Sequence, residues 1–333
     1  MPFTHKQTAH CETGVTQGLL REIGCEISEP MLFGIGSGLH FIHIPFLKVN
    51  GVPATSYRIW PGGIFNRVTK LLRLEASTFT FKDPIKANNA LDEQLAQGRA
   101  VGVMGSVYYL SYMPDAYRFH FNAHNLLVVG KDGDDYIVSD PILEELKTIS
   151  ANDLAQSRFA KGYPAPNGKM YYIKGVEGRP IPNLETAVKK GIKRTIFLIT
   201  SPPFKFAGVS GIAYLGNRIK TYPQKMEPRK ALLALGNIVR MQEEIGTGGG
   251  GFRFMYGAFL DEASQMLNIP DLKEMSLRIT NIGDDWRNFA FETAKVIKSR
   301  SGRIDSFDYI GNLLIDIGCK EEQFYTDLGK VKL

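Results

Sequence analysis

Ala123-His124-Asn125-Leu126-Leu127-Val128-Val129-Gly130-Lys131-Asp132-Gly133-Asp134-Asp135-Tyr136-Ile137-Val138-Ser139-Asp140-Pro141 holds two apolar, β-branched runs joined through Asp132-Gly133. The pattern predicts an antiparallel hairpin, with strands over 123–129 and 135–139 and a tight turn between them. His124 then starts the first strand and Asp140 ends the second, so the hairpin brings them to one end of the sheet. A histidine base and the carboxylate that orients it require that proximity. The bland alternative is a satisfied core histidine and a turn-forming aspartate before Pro141. His120, earlier in the same block, is a spare candidate for the base.

A nucleophile for this pair stands near the start of the sequence. Thr8-Ala9-His10-Cys11-Glu12-Thr13-Gly14 is followed by Val15, Leu19, Leu20 and Ile23 at helical spacing, and Gly24 supplies a stop. Thr8 or Thr13 is the expected cap, which leaves Cys11 in or just before the first turn. Backbone N–H groups and the positive end of the helix dipole lower a thiol's pKa there, and the same amides can bind a developing oxyanion. Taken alone, Cys11 reads more simply as a small buried hydrophobe at a helix start. Joined to His124 and Asp140, in the order Cys, His, Asp, it gives the papain-type set of nucleophile, base and orienter.

Between these parts lies Ser28-Glu29-Pro30-Met31-Leu32-Phe33-Gly34-Ile35-Gly36-Ser37-Gly38-Leu39-His40-Phe41. Its alternating glycines do not make a dinucleotide fingerprint and predict a tight turn into a strand from Leu39 to Phe46. Glu29, an acid in apolar surroundings, is expected to be paired or near a site, with a surface position as the alternative. His40 and His43 would share a metal only on a helix, which their strand-like surroundings oppose. His5, His10 and Cys11 lack a fourth spaced ligand, so no metal site is expected. Further along, Ile64 to Leu74 is amphipathic, Asn88 to Gln97 reads as a helix, and 100–104 as a strand that continues over 107–110.

At 333 residues the chain is longer than the roughly 100–200 of one domain, so two domains are the natural expectation. A composition 44% hydrophobic and 22% charged is that of a globular protein rather than a disordered or fibrous one. The cysteines at 11, 25 and 319 form no disulfide framework or metal-ligand spacing and fit a reducing compartment. With no secretory segment and no apolar run of membrane length, a cytoplasmic location is expected. Net charge is +6 with a pI near 9.0. The basic residues are spread along the chain, densest at Lys189-Lys190-Gly191-Ile192-Lys193-Arg194, and no nucleic-acid module accompanies them. A mildly basic surface suits an acidic partner.

In the second half, 152–160 reads as a helix, 170–174 and 195–200 as strands flanking a helix over 183–192, and the remainder as helices over 210–221, 228–245, 256–267, 270–299 and 304–328. The boundary falls between residues 175 and 205, giving domains 1–190 and 191–333. Gly246-Thr247-Gly248-Gly249-Gly250-Gly251, before Phe252-Arg253-Phe254, lacks the Lys-Ser or Lys-Thr of a P-loop. It is either a hinge between helices or a backbone-lined wall for a substrate arm, with Arg253 supplying charge. Glu29, Gly248, Gly249 and Arg253 are therefore the candidate substrate contacts. Asn281-Ile282-Gly283-Asp284-Asp285-Trp286-Arg287 offers acids and an aromatic for an aminated acceptor, or a cap or turn with a packed tryptophan.

His10-Cys11-Glu12-Thr13, the 28–36 segment, the His124 to Asp140 hairpin and the Gly246 to Tyr256 stretch together resemble the butirosin biosynthesis protein H family over most of the chain. The resemblance implies an α+β fold: a papain-like or C39-peptidase-like domain with an antiparallel sheet, followed by a mainly helical domain. It implies an enzyme of secondary-metabolite or lipid biosynthesis that takes an acyl group from the phosphopantetheine thioester of an acyl carrier protein and delivers it to an amine acceptor. Cys11, His124 and Asp140 carry over as the triad, with no bound cofactor. Papain-like enzymes place a glutamine six residues before the cysteine as an oxyanion donor. Here Gln7 is four before and His5 occupies the sixth position, so backbone amides are the expected donors. Two other readings stay open: a peptidase or amidase using the same triad, and a non-catalytic binding protein on this fold. A homo-oligomer is compatible with the sequence.

Overall fold

A computed structural model describes residues 3–49, 51–176, 184–299 and 303–333. Its elements are α1 (Cys11–Glu22), α2 (Glu29–Ile35), β1 (Leu39–Val49), β2 (Val52–Arg58), α3 (Gly63–Leu71), β3 (Leu74–Phe79), α4 (Pro84–Ala96), β4 (Val101–Gly105), β5 (His124–Asp132), β6 (Asp135–Ser139), β7 (Lys147–Ile149), α5 (Ala151–Arg158), β8 (Met170–Val176), α6 (Leu184–Thr200), α7 (Gly208–Lys220), α8 (Tyr222–Lys225), α9 (Pro228–Glu243), α10 (Arg253–Leu267), α11 (Asp271–Lys298) and α12 (Ile304–Leu328). The fold is α+β, and its paired strands are antiparallel.

Two compact units emerge: Met1–Leu32 with Ile64–Leu184, and Phe33–Gly63 with Glu185–Leu333. The second unit thus takes a segment that a linear 1–190 domain would assign to the first. The reason lies in β1 and β2, which pack on α7 and α9 within that unit.

The first unit is built on a six-stranded sheet in the order β3-β8-β4-β5-β6-β7. Alternation along the strands sends Val101 and Val103 of β4, Leu126 and Val128 of β5, and Val138 of β6 into one cluster with Leu91 of α4 and Leu154 of α5. Each such fully buried aliphatic side chain contributes roughly 1.5–3 kcal/mol. Leu127, of opposite parity, meets α1 at Gly18, where an added Cβ would lie 2.5 Å from Leu127 Cδ1. Glycine at that position lets the helix seat directly on β5. The hairpin closes through Gly133-Asp134, with Gly133 at φ 61°.

The second unit pairs the β1–β2 hairpin with α6 through α12. Trp286 of α11, wholly buried, packs against Phe41, Tyr57 and Phe289. Beside it Arg253 and Glu321, both fully buried, form a two-point ion pair at 2.8 and 2.9 Å. Among the described residues no helix is long and apolar enough to cross a membrane.

Three local expectations differ from the structure. Residues 195–200 are not a strand but the end of α6, because Val188, Ile192, Thr195 and Ile199 bury one helical face. Residues 107–109 form a 3₁₀ turn rather than a continuation of β4. Residues 29–35 are a short helix whose first turn is capped by Ser28 Oγ accepting from Met31 N at 3.2 Å.

Candidate active site

The start of α1 is fixed before its chemistry is considered. His10 is the cap: its backbone is extended (φ −125°, ψ 129°) and its Nδ1 accepts from Thr13 N at 3.4 Å. The threonines expected to cap are otherwise engaged. Thr13 Oγ1 donates to Glu29 Oε1 at 2.8 Å, and Thr8 Oγ1 donates to His10 O at 3.5 Å. Glu29 also accepts from His10 N at 2.7 Å and from Ala9 N at 3.0 Å. Glu12, fully buried, accepts through Oε1 from Ile64 N at 2.9 Å and Phe65 N at 3.2 Å, at the start of α3. A carboxylate there also meets the positive end of that helix. The backbone is therefore tied on both sides of Cys11, by Glu29 before it and Glu12 after it.

Cys11 is the first residue of α1 and is 7% exposed. From β5, His124 directs Nε2 at Asp140 Oδ2, 2.7 Å away, with both side chains buried. Asp140 follows β6, as the hairpin predicts. The same Oδ2 accepts from Tyr112 OH at 2.8 Å, and Oδ1 accepts from Ile142 N at 3.3 Å. Burial alone would lower the His124 pKa. The charge and hydrogen bond of Asp140, joined by a hydrogen bond and charge interaction with Cys11, reverse that and raise it to about 10. Asp140 holds Nε2, and the ring also interacts with the Cys11 side chain. A ring that stays protonated beside the thiol stabilises a thiolate. Burial and then the Asp140 charge push the Tyr112 pKa well above its usual value, so its hydroxyl remains a donor.

One contact was not foreseen. Asn125, 1% exposed, points Nδ2 at Cys11 Sγ from 3.7 Å. Its Oδ1 accepts from Tyr171 OH at 2.8 Å, and Nδ2 also donates to Ala123 O at 3.1 Å. Tyr171 is in turn packed on Phe65, with ring centroids 4.5 Å apart. The available signal was a lone amide at the head of the apolar run Leu126 to Val129, on the face that turns to α1. Tyr112 and Tyr171 carried no comparable mark.

Other candidates fall elsewhere. His120 is exposed and stacks on Tyr108 with centroids 4.1 Å apart, so the spare base is not in the buried chain. Gln7 Nε2 donates to Ile142 O, and His5 binds Ser139 Oγ and Leu143 O. Both tie the N-terminal segment to the end of the hairpin and do not face the thiol as donors. Glu29 is committed to backbone and Thr13 rather than open to a ligand. In the second unit Gly248 is exposed, while Gly249 is packed so that a Cβ would meet Arg287 and Glu243. Arg253 does not line open space: Glu321, and Gly251 O at 2.7 Å, answer its guanidinium inside the protein. Trp286 donates to the same Glu321 at 2.7 Å, so the tryptophan of the 281–287 stretch is packed, in mid-helix. Among the described residues no group of three or more His, Cys, Asp or Glu gathers to hold a metal ion.

Residues 10–141 match the family model for butirosin biosynthesis protein H, N-terminal, and residues 152–328 match a domain of unknown function, DUF4872. A solved structure described as a C39-like peptidase from Bacillus anthracis is 14% identical, with a TM-score of 0.38 over 53% of this chain and 96% of its own. No curated protein matches the chain.

Proposed function

The chain belongs to the butirosin biosynthesis protein H family, and on that premise we propose that it is a cysteine-dependent acyltransferase working through an acyl-Cys11 intermediate. The donor is an acyl group held as a thioester on the phosphopantetheine of an acyl carrier protein, and the acceptor is an amine. The observation that carries the reading is one buried relay: Cys11 at the N-terminus of α1, His124 interacting with it by charge and hydrogen bonding, and Asp140 Oδ2 at 2.7 Å from Nε2 of the ring.

The Cys11 thiolate attacks the thioester carbonyl, and the C–S bond to the pantetheine breaks. The departing thiolate takes the proton from the His124 imidazolium. Amides at the start of α1 stabilise the tetrahedral oxyanion. In the second half the amine attacks acyl-Cys11, gives its proton to His124, and Cys11 leaves as thiolate with an amide formed. Asp140 keeps the ring oriented throughout and balances its charge.

The test is mass spectrometry of the protein with a small acyl thioester, followed by addition of an amine. Acyl-Cys11 that persists in water and discharges to the amine is expected. Rapid discharge to water, with no amide, would instead make the chain a hydrolase with the same relay. Labelling that survives Cys11→Ala would remove the catalytic reading.

A further inference from the structure

Although basic residues occur throughout the chain, two stretches of the second unit carry no acid. Residues 186–226 contain eight Lys and Arg, at 189, 190, 193, 194, 205, 218, 220 and 225, and no Asp or Glu. Residues 33–63 of the same unit contain Lys48 and Arg58 and again no acid. These segments are neighbours in the fold: β1 packs on α7, His43 N donates to Phe206 O at 2.9 Å, and Ile42 bridges Ala207.

Exposed aromatics sit within that acid-free region. Phe46 is 76% exposed, Phe197 53% and Phe204 54%. They are linked rather than scattered: Phe206 lies 5.8 Å from Phe46 and 5.1 Å from Phe204, the latter pair parallel. Phe197 and Phe204 together border an apolar notch of about 170 Å³ whose other walls include Ile42, Leu198 and Pro202. Around it stand Lys193, Arg194 and Lys205, all exposed and none in an ion pair among the described residues. Arg194 rests on the Phe197 ring at 5.2 Å, and Lys205, next to Phe204 in the chain, rests on Tyr214 at 5.8 Å.

We infer that this face of the second unit is a docking surface for an acidic protein, one that presents an apolar side chain among carboxylates. The charges of Lys193, Arg194 and Lys205 attract the partner, and the notch and phenylalanines supply the apolar contact that fixes it. A preformed notch of this size takes one side chain, which a folded partner offers and a bilayer does not need. Single-stranded nucleic acid stacks its bases on successive open ring faces, and here Phe204 and Phe206 cover one face of each other. The choice of an acyl carrier protein as that acidic partner rests on the acyl-transfer reading; the chemistry of the surface does not.

The experiment measures binding of a purified apo acyl carrier protein to the full chain at low and moderate salt, beside vesicles rich in phosphatidylglycerol and a short DNA duplex. Carrier binding that weakens with salt, drops about tenfold or more in Lys193→Glu/Arg194→Glu, and also drops in Phe204→Ser is expected. Carrier binding indifferent to all three changes, binding of none of the three probes, or vesicle or DNA binding that disappears in the same variants would overturn the inference. Acylation of Cys11 by a small thioester needs no docking and is measured on each variant. If that labelling persists while the carrier ignores the surface, the docking inference fails and the acyl-transfer reading stands; if labelling is absent from the unmodified chain, the failure is of that reading.

Discussion

Nε2 of His124 and Oδ2 of Asp140 stand 2.7 Å apart with both side chains out of water, so the charge on the ring is answered by a carboxylate that solvent does not screen. The first consequence is a pH effect on stability. The folded-state pKa of His124 is about 10, above its ordinary value near 6.5. The pair's contribution is therefore complete below about pH 6.5 and is lost as pH rises toward 10. Urea denaturation across this interval should show stability falling with pH, and Asp140→Asn should flatten the slope. The same variant should acylate Cys11 about a hundredfold or more slowly, because the ring loses both its charge partner and its fixed orientation.

Asn125 should matter to the thiol and little to the sheet. Asn125→Ala removes the Nδ2 contact at 3.7 Å, and the rate of Cys11 alkylation should fall several-fold near neutral pH with its titration moved upward. Tyr171→Phe, which only releases the amide from its orienting hydroxyl, should move the titration in the same direction by less. Identical alkylation profiles in all three proteins would leave Asn125 as packing.

Glu29 is expected to act on the shape of the site. Its carboxylate receives Ala9 N, His10 N and Thr13 Oγ1, and such charge-assisted bonds are worth about 1.5–3 kcal/mol each in protected settings. Glu29 is half-buried, so Glu29→Ala should lower stability by about 2 kcal/mol in total. Loosening the backbone before Cys11 should also slow its alkylation. Loss of thioester affinity with stability and alkylation unchanged would restore the substrate-binding role that the sequence suggested.

For Arg253 the expected result is structural. Arg253→Ala leaves Glu321 charged, buried and short of a partner, which typically costs about 3–5 kcal/mol. Thermal unfolding should register this loss. Arg253→Met paired with Glu321→Gln should recover part of it, with unchanged thioester concentration dependence in the recovered protein.

These cases mark how far the sequence carries. The hairpin from His124 to Asp140 and the long helices α9, α11 and α12 were legible because turn residues and apolar periodicity are local signals. Thr195 to Thr200 misled because β-branched residues favour strands, while burial spaced by one helical turn prevails in the folded chain. The ion pair of Arg253 is not legible in the sequence because its partner lies 68 residues away on another helix. The affiliation of 33–63 with the later helices is likewise a long-range fact, carried by packing on α7 and α9 rather than by any motif.

The two carboxylates that hold the chain around Cys11 have a practical meaning. Glu29 grips Ala9, His10 and Thr13, and Glu12 grips the start of α3, without using the sulfur at all. The seat of the thiol is thus assembled independently of its occupant. Exchanging that one atom for oxygen, or deleting it, should leave an inert but correctly shaped receptacle in which an intact donor can be caught and seen.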